Sequence, residues 1–294
     1  MPTQAKDSYI QLLKATLSGA VYDEPPIPVE LHWCRRGWVK QFLARALGRV
    51  FGAMGATLCI QVKHSREDLE TGRTWPVQAC SMIGQRRMDN LTACVEKVLE
   101  NNVPGDFIET GVWRGGACIL MRGILSAHGV TDRKVYVADS FRGLPPPNAA
   151  QYPADAGDIH HTLSFLAVSR QQVEENFRRF GLLDAQVVFL EGWFKDTLPK
   201  LPAQPMAIIR LDGDMYESTM DALTHLYPKL SPGGFCIIDD YMIESCRRAV
   251  EDYRNVQHIT DPIENIDGWA VFWQKQATAK WPAALPGSDA PSCL

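Results

Sequence analysis

Ile208-Ile209-Arg210-Leu211-Asp212-Gly213-Asp214-Met215-Tyr216-Glu217 reads as a short apolar strand that ends in two acids, with a helix following from about Glu217 to Lys229. The next apolar run, Gly234-Phe235-Cys236-Ile237-Ile238, closes on a second acidic pair, Asp239-Asp240. Two neighbouring strands would thus bring their carboxylates to one edge of a sheet. Like charges that close raise one another's pKa unless a cation sits between them. A hard divalent ion with oxygen ligands, Mg²⁺ above all, is the simplest remedy. Any one of these acids serves equally well as a helix N-cap or a loop charge. Acid pairs at the ends of consecutive strands point further, because open α/β sheets bind ligands at the carboxyl ends of their strands.

The rest of the chain supports such a sheet. From Gly105 onward strands and helices alternate. Asp106–Glu109 is a first strand, followed by Gly111 to Gly116 and an apolar helix from Ala117 to His128. Further strands are expected over 134–138, 186–190, 206–211 and 234–238. Ser169-Arg170-Gln171-Gln172 starts a helix like a capping box, and Gly181 stops it. After a helix over 244–254, Asn255–Ile259 and Trp269–Gln274 are read as two last strands with an antiparallel finish. Alternating β and α means a doubly wound, seven-stranded, mostly parallel sheet.

The N-terminal part has another character. Tyr9, Leu12, Leu13 and Leu17 recur at helical spacing, and a proline-rich link, Pro25-Pro26-Ile27-Pro28, follows. Trp33 to Ile60 interleaves Arg35, Arg36, Lys40, Arg45 and Arg49 with Trp38, Phe42, Leu43 and Leu47. A basic amphipathic helix of this kind lies on a membrane, packs on its own domain, or forms a lid or a dimer contact. We divide the chain into an N-terminal helical lid region (1–80), a main domain (81–275) and a loose tail (276–294) rich in Ala, Pro and Ser.

The net charge of −4 over 294 residues lacks the basic face a nucleic-acid partner calls for. Eight cysteines occur without a CxxC pair, which argues against a zinc knuckle and suits a reducing compartment. No signal peptide, membrane span or prenylation box is legible, so a soluble, cytoplasmic protein is expected.

The first βα turn, Glu109-Thr110-Gly111-Val112-Trp113-Arg114-Gly115, departs from the dinucleotide fingerprint GxGxxG. Val112 stands where the second glycine belongs, and the acid Glu109 ends the strand. An acid there repels a phosphate and suits a cationic ligand. Asp139, at the tip of the second strand, suits two ribose hydroxyls. A cationic nucleoside without phosphate is S-adenosylmethionine.

Six segments carry a resemblance: Ser81-Met82-Ile83-Gly84, Gly105 to Gly116, Ala138-Asp139-Ser140-Phe141-Arg142-Gly143-Leu144-Pro145, Glu191-Gly192-Trp193-Phe194, Arg210 to Thr219, and Ile238-Asp239-Asp240-Tyr241. With them the chain resembles, from about Ser81 to Gln274, the macrocin O-methyltransferase family. This is a branch of the Rossmann-like class I methyltransferases that uses a divalent metal and methylates sugar hydroxyls of secondary metabolites such as macrolides and aminocoumarins. Within it the chain is most similar to the aminocoumarin (novobiocin-type) enzymes acting on the 4-hydroxyl of a noviosyl sugar. The resemblance implies that Asp212, Asp239 and Asp240 bind Mg²⁺ and that Asp214 is the general base. It implies that Glu109 and Gly111 line the methionine end of S-adenosylmethionine and that Asp139 holds its ribose. Ser140, Phe141, Gly192, Trp193 and Phe194 would flank the adenine, with Met82 and Ile83 closing over the cofactor.

Other readings stay open at this stage. His160-His161 lies in the Pro145–Ala167 insertion, read as a lid over the acceptor, and is either a solvated loop pair or a substrate contact. Trp193 and Phe194 are core aromatics or a cofactor rim. Asp212-Gly213-Asp214 also matches the acid triplet of a metal-dependent glycosyltransferase, against which Glu109 and Asp139 stand because they would face a diphosphate. A non-catalytic cofactor-binding protein is the remaining alternative.

Overall fold

The computed structural model describes residues 3–29, 38–61 and 63–276, and the statements below concern these residues. A two-stranded antiparallel pair, β1 (Ile27–Pro28) and β2 (Cys59–Ile60), stands apart from the main sheet. The proline-rich link thus supplies a strand. The main sheet holds β3 (Asp106–Thr110), β4 (Val135–Asp139), β5 (Val187–Glu191), β6 (Met206–Leu211), β7 (Leu230–Ile238), β8 (Glu264–Asn265) and β9 (Val271–Gln274). Their order is β5-β4-β3-β6-β7-β9-β8. Strands β3 to β7 run parallel, while β9 runs antiparallel to β7 and β8 antiparallel to β9. The strand order reverses between β3 and β6, the kind of switch point at which open α/β sheets bind ligands.

The alternation of side chains along each strand builds two cores. Phe107, Val135, Val137, Ile208 and Ile237 face the helices Thr3–Leu17, Gln85–Glu100, Gly116–Ala127 and Arg170–Arg179. Ile108, Tyr136, Ala138, Ile209, Leu211, Cys236 and Ile238 face the helices Tyr216–Leu226 and Glu244–Val256. The helix Thr3–Leu17 buries Ile10, Leu13 and Leu17 in the first core. Leu12, read from the spacing as part of that stripe, is exposed.

The helix Trp38–Ala53 buries Ala44 but leaves Phe42, Leu43, Leu47 and Val50 exposed. The cations Arg35 and Arg36 and the tail beyond Gln276 lie outside the described residues. No described helix is long and apolar enough to cross a membrane. The described cysteines are free thiols.

One expected strand is wrong. Asn255 and Val256 complete the helix Glu244–Val256, a turn through His258 (φ +53°) follows, and the edge strand is Glu264–Asn265. Ala249, Val250 and Tyr253 pack with helical spacing and carry the helix onward.

Candidate active site

Arg210 opens the site. It follows Ile208 by two on β6, so it shares that strand's buried face, and its cross-strand neighbours are Glu109 on β3 and Ile237 on β7. Asp239 lies two residues beyond Ile237 and emerges on the same face. The register therefore packs Glu109, Arg210, Asp212 and Asp239 together. The Arg210 guanidinium donates to Glu109 and to Asp239, and to Asp212 Oδ2 at 2.8 Å. A second buried guanidinium, Arg87, donates to Asp239 Oδ2 at 2.6 Å and lies 3.0 Å from Asp267 Oδ2. A charge buried in an apolar strand has to be paired, and this was the available signal that Ile208-Ile209-Arg210-Leu211 needs acids opposite it. The sequence pattern alone assigns neither arginine a role.

Glu109 is thereby placed differently from the expectation. It is 2% exposed, and its carboxylate accepts from Arg210 and from Cys118 Sγ at 2.9 Å. Its charge is turned to a protein cation, and it does not line the cavity.

That cavity, about 520 Å³, lies over the carboxyl ends of the parallel strands and has Met82, Gly111, Asp139, Ser140, Trp193, Phe194, Asp212, Asp214, Asp239 and Asp240 in its wall. It gathers most of the residues singled out from the sequence. Ile83 and Phe141 are instead core residues, and Gly192 is outside the wall. Phe141 (φ +56°) still serves the site, because its N–H donates to Asp139 Oδ1 at 2.7 Å. Val112 N–H donates to Asp139 Oδ2 at 2.8 Å. Burial pushes the Asp139 carboxyl up, and these backbone donors oppose the shift.

Gly111 has φ +81°, and a Cβ built on it would stand 1.6 Å from the Asp212 carbonyl oxygen. The β3 turn and the β6 tip touch backbone to backbone at the switch point, so only glycine fits.

Asp212, Asp239 and Asp240 each offer an oxygen within 4.8 Å of the others. Burial first, then the neighbouring Asp239 and Asp240 charges, hold the Asp212 carboxyl well above its ordinary range, with Arg210 opposing. Burial and the Asp214 and Asp239 charges do the same to Asp240. The arginines relieve this repulsion only in part, since Arg210 and Arg87 are shared among Glu109, Asp212, Asp239 and Asp267. An all-oxygen donor set with surplus negative charge fits Mg²⁺.

Asp214 sits beside this triad with φ +57°, a left-handed conformation that Asp tolerates better than most residues. Its N–H donates to Asp240 Oδ2 at 3.2 Å, and its carbonyl accepts from Ser245 Oγ at 3.1 Å. It caps no helix. The N-cap of Tyr216–Leu226 is Met215, and the carboxylate at that helix end belongs to Asp155, which accepts from the N–H groups of Tyr216 (2.6 Å) and Glu217 (3.1 Å). Burial, aided by the charges of Asp212 and Asp158, pushes the Asp214 carboxyl up to about 7.

Asp155 belongs to the Pro145–Ala167 insertion, which folds into three short 3-10 turns. The insertion is tied down again where Trp113 Nε1 donates to the Phe165 carbonyl at 3.0 Å. Within it His160 lines the cavity, with Nδ1 2.7 Å from Asp158 Oδ2, while His161 is exposed. Arg114, read as a possible surface cation, donates to the Ala79 carbonyl at 2.9 Å and stacks over Trp113.

A parallel sheet with an antiparallel last strand, an acidic β4 tip and a carboxylate cluster across the switch point defines a class I methyltransferase fold. Residues 6–275 match the family described as Macrocin-O-methyltransferase (TylF), and the chain belongs to that family of O-methyltransferases. It is 46% identical to the 8-demethyl-8-(2,3-dimethoxy-alpha-L-rhamnosyl)-tetracenomycin-C 4'-O-methyltransferase of Streptomyces olivaceus, over 95% of this chain and 97% of that one. It is also 46% identical to the demethyldecarbamoylnovobiocin O-methyltransferase of Streptomyces niveus, over 91% and 93%. The solved structure of the O-methyltransferase NovP superposes with a TM-score of 0.79 at 44% identity, covering 92% of this chain and all of that one.

Proposed function

We propose that the chain transfers a methyl group from S-adenosylmethionine to a sugar hydroxyl of a glycosylated secondary metabolite, in a Mg²⁺-assisted reaction, with the 4-hydroxyl of a noviose-like deoxysugar as the acceptor. The observation that supports this reading is one cavity with Asp139, at the tip of β4, and the acid triad Asp212, Asp239 and Asp240 in its wall. The relatives named above act on glycosylated antibiotics.

S-adenosylmethionine would supply an electrophilic methyl on a sulfonium, and Mg²⁺, held by Asp212, Asp239 and Asp240, would lower the pKa of a nearby hydroxyl. The chain's own residues do the rest. Asp139 fixes the nucleoside by its ribose. Trp193 and Phe194 offer apolar faces to the adenine, and Met82 covers the cofactor. Asp214, at the mouth of the triad and not needed as a ligand, takes the proton from the attacking hydroxyl. Its backbone, held by the contacts to Asp240 and Ser245, keeps it in place. His160, fixed by Asp158, faces the same cavity and is available to a second sugar hydroxyl. The Pro145–Ala167 insertion and the N-terminal region form the cover that excludes water from the sulfonium.

The glycosyltransferase reading loses support, because residues 6–275 match a family of O-methyltransferases. The test is mass spectrometry of desmethyl noviosyl and rhamnosyl glycosides incubated with enzyme and S-adenosylmethionine. A gain of one methyl on the sugar, lost in excess EDTA and restored by Mg²⁺, is expected. Undiminished transfer in EDTA rejects the metal role, and no transfer to any glycoside rejects the acceptor class.

A further inference from the structure

We infer that His160, held in a bracket of the Pro145–Ala167 insertion that docks beside Asp214, determines acceptor specificity: its Nε2 accepts from the sugar hydroxyl adjacent to the one that is methylated. The chain is thereby selective for sugars in which that neighbouring hydroxyl is free. The inference rests on the sugar methyltransferase reading above and names the part of the acceptor that this wall of the cavity reads.

The bracket starts next to the base. Asp214 is followed, after Met215, by the helix Tyr216–Leu226, and Met215 as its N-cap gives no side-chain cap. The first two N–H groups of that helix go to Asp155 instead, Tyr216 to Oδ1 at 2.6 Å and Glu217 to Oδ2 at 3.1 Å. Asp155 is 1% exposed. A carboxylate buried that deeply has to be paired, and the positive end of a helix is a suitable partner. Tyr152 lies beside Tyr216 with ring centres 6.0 Å apart. The insertion is thus indexed to the segment that leaves Asp214.

From there the chain turns inward. The Asp158 N–H donates to the Asp155 carbonyl at 3.2 Å. Asp158 Oδ1 accepts from the His160 backbone N–H at 2.8 Å, and Oδ2 lies 2.7 Å from His160 Nδ1. One carboxylate therefore holds one residue twice, by its backbone and by its ring. Ile159 and His161 on either side are exposed, while His160 is partly buried and shares the cavity wall with Asp214. The Asp158 charge is among the causes that raise the Asp214 carboxyl, which agrees with a short span from the base to this bracket.

The fixed nitrogen decides what the ring can read. A carboxylate accepts, so Nδ1 carries the proton, and Nε2 of the neutral ring is left as an acceptor. An acceptor in the wall that holds the base suits a hydroxyl and gains nothing from an ether. With the attacking oxygen at Asp214, the next group of the sugar lies on the adjacent carbon. On a 6-deoxysugar methylated at its 4-hydroxyl, C5 carries no hydroxyl, so the neighbour is the 3-hydroxyl. A sugar without that proton leaves Nε2 unpaired in a partly buried place. Sites that hydrogen-bond a substrate hydroxyl discriminate in this way more sharply than apolar pockets do. Asp155 and Asp158 act through His160 and are positioning residues.

The test is titration of the S-adenosylhomocysteine-loaded protein, with Mg²⁺, by 4-nitrophenyl α-L-rhamnoside and by its 3-deoxy analogue. Wild type is expected to bind the rhamnoside about tenfold tighter than the analogue, the size of one good hydrogen bond. In His160→Ala that ratio falls by about threefold or more while affinity for the analogue stays near wild type, which assigns the loss to the pair of imidazole and hydroxyl. His160→Gln, which can offer an amide oxygen, keeps part of the ratio. Asp158→Asn, which keeps the shape but holds the ring less firmly, lowers it by less than His160→Ala does. S-adenosylhomocysteine affinity verifies that each variant is folded. An unchanged ratio in folded His160→Ala, an equal loss of affinity for both glycosides in that variant, or a ratio near unity in wild type overturns the role of His160. Binding that follows the expected order without methyl transfer to any glycoside leaves that role standing and removes the proposed reaction instead.

Discussion

Asp214 combines three properties that rarely coincide on a surface carboxylate: a left-handed backbone, a partly buried side chain, and a pKa pushed up to about 7. Asparagine has the same shape and tolerates the same backbone, so Asp214→Asn removes the base and little else. The expected result is a kcat lower by about 10²–10⁴, the usual contribution of general base catalysis. S-adenosylhomocysteine affinity should stay near wild type. Turnover within a factor of a few of wild type would show that the proton leaves by another route, with His160 an alternative on the cavity wall. Arg210 offers the complementary lesson. Its partners come from β3 and β7, far away in sequence, and no local pattern names them. What the sequence does say is that a cation sits among Ile208, Ile209 and Leu211, and that such a position demands acids within reach.

At the level of elements, the parallel strands were legible because each is an apolar run that stops at Asp, Glu or Gly. The strand Met206–Leu211 has the bounds read from the sequence. The acid tips were legible for the same reason, since a polar residue ending an apolar run marks the carboxyl edge. The final strands were not. Asn255–Ile259 is too short, with only Val256 and Ile259 apolar, to carry a period of its own, and the helix prevails because its inner face is already packed. Asp155 was missed because it caps a helix some sixty residues away, across the insertion, and not the one next to it. The β3–β6 junction is the least tolerant element. Gly111→Ala would drive a Cβ into the Asp212 carbonyl and strain φ +81° as well. Loss of soluble, folded protein is expected, seen as a missing cooperative transition in thermal unfolding. Gly181→Ala, with φ +68° but open space around it, should cost only the ~1–2 kcal/mol of a left-handed alanine. If both variants melt alike, the contact at the switch point is not what holds the two tips together.

Over the whole molecule, the acid cluster makes stability depend on pH and on metal together. In metal-free protein Asp214 titrates near 7 instead of its ordinary 3.8, and Asp212 and Asp240 are raised in the same direction. A carboxyl whose pKa is higher folded than unfolded binds more protons in the folded state. Stability therefore falls as pH rises from about 4 through about 7. Metal-free protein in EDTA should lose Tm steadily between pH 5.5 and 8, and Asp214→Asn should flatten part of that slope. Bound Mg²⁺ reverses the balance, because the triad must be deprotonated to ligate it. Added metal should raise Tm more at pH 8 than at pH 5.5. At one hundred times its Kd the stabilisation is about 2.7 kcal/mol, a shift of several degrees. Asp239→Asn is a poor probe, since it also strips a partner from Arg87 and Arg210. Asp240→Asn is the better one, for no ion pair to an arginine within 4 Å is found for it among the described residues. It should keep a cooperative melt, become more stable than wild type without metal because one repelling charge is gone, and lose the Mg²⁺-dependent gain. A full metal response in Asp240→Asn would leave Asp240 to repel its neighbours without binding the ion, and would move the ligand set toward Asp212 and Asp239 alone.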